Sequence, residues 1–158
     1  MITLFFLTAF VVGAVPIQDD PFAFNTPAAI RKCLKPVESQ YKLSDRSNPF
    51  YLRGDFDGDG KSDYAVLVTN DKGERGMAVC RAVASRPEIL GAGTIFNKLR
   101  DLTFGAWMVF PKGPVERGVE AGPPPTLRGD ALLIIWPESA SALTYWDGRG
   151  FRWYQQGD

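Results

Sequence analysis

The chain has 158 residues, a length that fits one domain. With 45% hydrophobic and 23% charged residues it has the composition of a folded globular protein, which excludes a disordered chain. Eighteen Lys and Arg balance eighteen Asp and Glu, so no charge excess points to nucleic acid or an anionic membrane, and the absence of His removes imidazole-based nucleophile schemes and the usual zinc ligand.

Met1 to Ile17 carries no charge, and Ile2 to Val15 is apolar apart from Thr3 and Thr8. The run is shorter than the roughly 20 residues a membrane span needs. It reads as a secretory signal peptide over residues 1–15, with Val12-Gly13-Ala14 as small residues for cleavage. No Lys or Arg follows Met1, so the basic leader of such peptides is missing. Residues 16–26 then read as a flexible segment, and 27–158 as one β-rich domain. Export places the chain outside the cytoplasm, secreted or periplasmic, with no membrane span left in the mature chain.

Thr26-Pro27 reads as a helix start, with Thr at the cap and Pro at the first helical position. Ile30, Cys33 and Leu34 share one face at helical spacing, so Cys33 points inward, and Pro36 stops or kinks the helix. In an oxidising compartment Cys33 and Cys80 could form the single bridge that two cysteines allow. The alternative is two buried thiols packing as small hydrophobes.

From Phe50 the pattern turns to strands. Phe50 to Arg53 is a short strand, and Asp63 to Thr69 is another. Asn70-Asp71-Lys72-Gly73 turns the chain into a strand over Gly76 to Ala84. Leu90 to Phe96 and Phe104 to Phe110 read as further strands. Pro111 to Thr126, with five Pro and three Gly, reads as a long exposed loop. Ala131 to Trp136 is a continuous apolar run, the mark of a central strand. Leu143 to Trp146 and Phe151 to Tyr154 flank Asp147-Gly148-Arg149-Gly150, a strong hairpin signal. The expected fold is α+β and β-rich: a mostly antiparallel sheet of about 6–8 strands with one N-terminal helix.

Chemistry concentrates between the first two of these strands. Gly54-Asp55-Phe56-Asp57-Gly58-Asp59-Gly60-Lys61-Ser62-Asp63 places carboxylates at alternate positions, where they repel unless a cation sits among them. Calcium is a hard cation that takes six to eight oxygens at about 2.3–2.6 Å. Asp55, Asp57, Asp59 and Asp63 would supply side-chain oxygens and Lys61 its carbonyl, with the Lys61 ammonium out in water. Gly60 would allow the sharp turn at positive φ. An EF-hand needs a bidentate Glu at its twelfth position. Counting from Asp55, that position here is Val66, inside an apolar strand, and no helix follows.

The D-x-D-x-D-G-x-x-D pattern over roughly Tyr51 to Val68 resembles the calcium loop of FG-GAP and VCBS repeats, which joins two strands of a sheet. The resemblance implies calcium held by Asp55, Asp57, Asp59, the Lys61 carbonyl and Asp63. The motif occurs once, whereas a propeller needs four or more blades.

The C-terminal aromatics Tyr145, Trp146, Phe151, Trp153 and Tyr154 read either as core and cross-strand pairs or as a platform for sugar rings. Asp130 with Glu138, or Glu116 with Glu120, could be imagined as a hydrolase pair, but nothing in the sequence brings two of them together. The expectation is therefore an exported, non-enzymatic calcium module with a structural or binding role, whose partner would be a glycan or an extracellular protein. The alternatives are a carbohydrate-binding module and an inhibitor of an extracellular hydrolase that uses Pro111 to Thr126 as its reactive loop.

Overall fold

The computed structural model describes residues 25–119 and 122–157, so the expected signal peptide lies outside the described residues. Helix α1 (Ala28–Leu34) opens the described chain and runs on into a 3-10 turn, Lys35–Val37. Nine strands follow: β1 (Tyr41–Leu43), β2 (Tyr51–Gly54), β3 (Asp63–Asn70), β4 (Arg75–Cys80), β5 (Glu88–Gly91), β6 (Ala106–Phe110), β7 (Ala131–Trp136), β8 (Ala140–Trp146) and β9 (Phe151–Gly157). All pairings between them are antiparallel. The α+β, β-rich class and, among the described residues, the one α-helix near the N-terminal end are as the sequence leads one to expect.

The strands divide into two sheets rather than one. The first has the order β1-β3-β4-β5, and β2 pairs with the same β3. β1 and β2 follow one another along one edge of β3, with Leu43 opposite Val68 and Tyr51 opposite Val66. The second sheet is the meander β6-β7-β8-β9. Ala131–Trp136 is indeed interior to it, between β6 and β8.

β3 reads as unbroken Ala-Val-Leu-Val because both of its faces are covered. Ala65 and Leu67 of β3, with Met77 and Val79 of β4, face the second sheet, where Trp107, Leu132 and Ile134 complete the main core. Val66 and Val68 face the other way, onto Ile30 and Leu34 of α1 and onto Val37. Each buried Val, Leu, Ile or Met among these contributes about 1.5–3 kcal/mol. A disulfide joins Cys33 of α1 to Cys80 at the end of β4 across 47 positions, and ties this helix layer to the sheet.

Three local expectations change. Thr26 is not the helix cap: α1 starts at Ala28, Pro27 occupies the cap position, and no side chain caps it. β4 stops at Cys80 instead of Ala84, because Arg81 to Ala84 forms a turn closed by Ala84 N–H donating to the Arg81 carbonyl. β5 stops at Gly91 instead of Phe96, because Gly91 and Ala92 take φ of 76° and 49° and leave the extended region.

The Pro/Gly segment after β6 is irregular and its described part is largely exposed, as expected, but it is anchored to the second sheet. Val115 and Leu127 cover Ala131, Leu143 and Tyr154 on the outer face of the second sheet. Gly118 N–H donates to the Tyr154 hydroxyl at 2.9 Å. A Cβ on Gly118 would fall 2.2 Å from the Gln155 carbonyl oxygen, so only glycine permits so close an approach.

Candidate metal centre

The acidic run is the connection between β2 and β3, entered at Gly54, which pairs with Asp63. Alternation sets its chemistry. Phe56 turns inward and is fully buried in the core between the sheets. Its neighbours Asp55 and Asp57 turn the other way. Phe56 thus anchors a loop whose two flanking residues are carboxylates, a role the Asp spacing alone did not disclose.

Glycines shape the tip. Gly58 and Gly60 have φ of 77° and 82°, in the region that favours glycine. The backbone N–H groups of this tip converge on the first carboxylate. Asp55 Oδ1 accepts from Gly58 N–H and Asp59 N–H at 2.9 and 3.0 Å, and Asp55 Oδ2 accepts from Gly60 N–H at 3.0 Å.

Asp63 closes the loop and is fully buried. Its Oδ1 accepts from Ala82 N–H at 2.7 Å and its Oδ2 from Phe56 N–H at 3.0 Å. Burial pushes the Asp63 carboxyl above the ordinary carboxylate value, the backbone N–H donors of Ala82, Phe56 and Asp57 pull against that shift, and the nearby charge of Asp57 adds to it. A positive charge at this point would reverse the balance.

Ligand atoms of Asp55, Asp57 and Asp63 all lie within 4.8 Å of one another. The donor set is carboxylate oxygen throughout, which suits a hard cation such as calcium or magnesium and not a thiophilic metal. Asp59 stands outside this trio: its Oδ1 accepts from Lys61 N–H at 2.8 Å, and its Oδ2 lies 3.8 Å from Lys61 Nζ. The Lys61 side chain is 62% exposed but leans toward Asp59 instead of pointing freely into water.

Two cations serve four acids. Arg81 Nη1 lies 3.2 Å from Asp57 Oδ2, and Lys61 reaches Asp59. Among the described residues, Asp55 and Asp63 make no ion pair. Backbone N–H donors alone face the oxygens of these two carboxylates.

The loop leans on the start of β7. Asp55 N–H donates to Asp130 Oδ2 at 3.0 Å, and Asp130 N–H donates to the Asp55 carbonyl at 2.7 Å. The other Asp130 oxygen accepts from Lys112 N–H at 3.0 Å. Asp130 is thus a brace between backbones, with both of its oxygens occupied. Nothing pairs it with Glu138, which sits at φ 58° in the β7–β8 turn. The backbones here touch: a Cβ on Gly58 would fall 2.4 Å from the Arg128 carbonyl oxygen.

The C-terminal aromatics largely serve packing. Phe151 and Tyr154 are buried, Trp153 meets Phe96 edge-on and Trp136 at a tilt, and Trp146 packs edge-on against Phe151. Trp146 has one further contact, with the Arg81 guanidinium carbon 4.1 Å from its ring centre.

Comparison with protein-family models, with curated proteins and with solved structures gave no match of any of the three kinds.

Proposed function

We propose that this protein is an exported, non-enzymatic calcium-binding module in which Asp55, Asp57 and Asp63 hold one calcium ion, with Asp59 and the Lys61 carbonyl as further donors from the same loop. The observation that carries this reading is the convergence of three carboxylates within 4.8 Å, two of them without an ion-pair partner among the described residues. The strand–loop–strand setting favours it too, since that is the setting of the FG-GAP and VCBS loops that these residues resemble. Three carboxylates leave several of the six to eight calcium positions to carbonyls and water, and affinity is expected on the order of 10⁻⁴–10⁻³ M, the range of extracellular modules.

The ion has a structural role in this reading. It would tie Asp63 at the start of β3 to the loop that leans on the second sheet, and so hold the two sheets together. The Cys33–Cys80 disulfide supports export, because such bridges persist in oxidising compartments. Thermal unfolding tests the proposal: calcium should raise the melting temperature and a chelator should reverse the rise. An identical melting temperature in both conditions would remove it.

A further inference from the structure

A second site lies toward the opposite end of β3. A cavity of about 280 Å³ opens there between the β1–β2 connection and the segment leading into β6. Leu67 and Leu102, both of the main core, and Phe104 supply apolar lining. Ser44, Ser47 and Thr103 bring hydroxyl groups to the same space.

Two arginines border it, Arg46 and Arg75. Arg75 is fixed in place: its Nε and Nη2 donate to the two oxygens of Asp101 at 3.0 and 2.7 Å, and its own N–H donates to Asp101 Oδ1 at 2.7 Å. Its carbonyl in turn accepts from Ala92 N–H and Leu102 N–H, both at 2.8 Å. Arg46 acts electrostatically on this same Asp101. It forms no ion pair of its own among the described residues. Asp101 is thus taken up by Arg75, and Arg46, which borders the same cavity, keeps a positive charge with no ion-pair partner among the described residues. Asp45, next to Arg46, is exposed and does not line the cavity.

We infer that this cavity binds a small organic acid, its carboxylate on Arg46 and the hydroxyl groups and its short apolar tail against Leu67, Leu102 and Phe104. The guanidinium fork suits a carboxylate, and the lining suits a tail of a few carbons. The volume sits at the small end for ligand pockets, which admits a short acid whole. The site is independent of the acidic loop.

The test is a titration of the ¹⁵N-labelled full chain followed by amide chemical shifts. Hexanoate should give saturable shifts at Leu67, Gly76, Leu102 and Thr103, with a dissociation constant on the order of 10⁻³ M. Hexanamide, which keeps the tail and loses the charge, should bind at least about tenfold more weakly, and Arg46→Gln should weaken hexanoate to a similar degree. Arg46 lies on an exposed bend, so its variant is expected to keep the wild-type spectrum elsewhere. Equal binding of hexanoate and hexanamide, or no saturable shift with hexanoate, would overturn the inference. So would binding of a peptide ending in a free Leu carboxylate without binding of hexanoate, since that would make the site a reader of chain ends.

Discussion

Arg81 Nη1 lies 3.2 Å from Asp57 Oδ2, across 24 positions of chain, and so supplies a built-in cation to the acidic loop. The Asp57 side chain is 6% exposed and that of Arg81 22%, so water screens the pair only in part. The same guanidinium covers Trp146 in the second sheet. Arg81 thus holds one carboxylate of the candidate metal centre and, on the proposed function, would compete with calcium for it. Arg81→Ala should lower the stability of the metal-free protein by about 1–2 kcal/mol, through the unpaired Asp57 and the lost ring contact. Calcium affinity should rise by roughly tenfold. Urea unfolding with chelator and calcium titration check the two halves separately.

Gly58 and the segment Arg128-Gly129 pack backbone against backbone. A Cβ on Gly129 would lie 2.1 Å from the Asp55 carbonyl oxygen and 2.6 Å from Gly58 N. Gly129→Ala should therefore destabilise by about 2–4 kcal/mol, because backbone on both sides must move. Gly60→Ala is the control: its φ is +82° with nothing near the added atom, so only the left-handed conformation penalises it, by about 1–2 kcal/mol. Similar losses at the two sites would show that the loop and the start of β7 are not in contact.

Cys33 and Cys80 close a loop of 47 positions. On the chain-entropy model that constraint stabilises by about 4 kcal/mol. The bridge also ends one residue before Arg81 and two before Ala82, which hold Asp57 and Asp63. Replacing both cysteines by Ala should lower the denaturation midpoint markedly and weaken calcium binding as well. Calcium titration of the double variant checks the second effect.

Asp147 offers a pH signature. The Arg152 guanidinium at 2.6 Å, with the N–H groups of Arg149 and Gly150, holds its carboxyl down at about 2, against an ordinary value of 3.8. A depressed carboxyl favours the folded state above its unfolded value and loses that contribution as pH falls through the folded value. Asp147→Asn should therefore be less stable than wild type at neutral pH, and the gap should close between about pH 4 and pH 2. Urea midpoints measured across that interval check it. A gap that persists below pH 2 would mean that the charge of Asp147 is not its cause.

Local pattern made much of this legible from sequence. The Ala131–Trp136 run marked an interior strand, Asp147-Gly148 marked a hairpin, and the Asp alternation marked the loop where three carboxylates converge. Partners far along the chain were not legible. Neither Arg81 nor Asp130 carries a local sign that it faces Asp57 or Asp55, because sheet packing alone brings them there. β1, three residues long, has too little alternation to stand out. The division into two sheets depends on which faces meet, and strand periodicity reports only that a face is apolar. Pro111 to Thr126 has the composition of a free loop, yet Val115 and Gly118 bind it to the outer sheet face.

Calcium binding by the Asp55–Asp63 loop is most directly tested by calorimetric titration of the metal-stripped full chain, wild type beside Asp57→Ala. The expected result is one saturable site with a dissociation constant on the order of 10⁻⁴–10⁻³ M in the wild type and no measurable site in the variant. Absence of binding in the wild type, or equal binding in both, would contradict a metal centre built on these carboxylates.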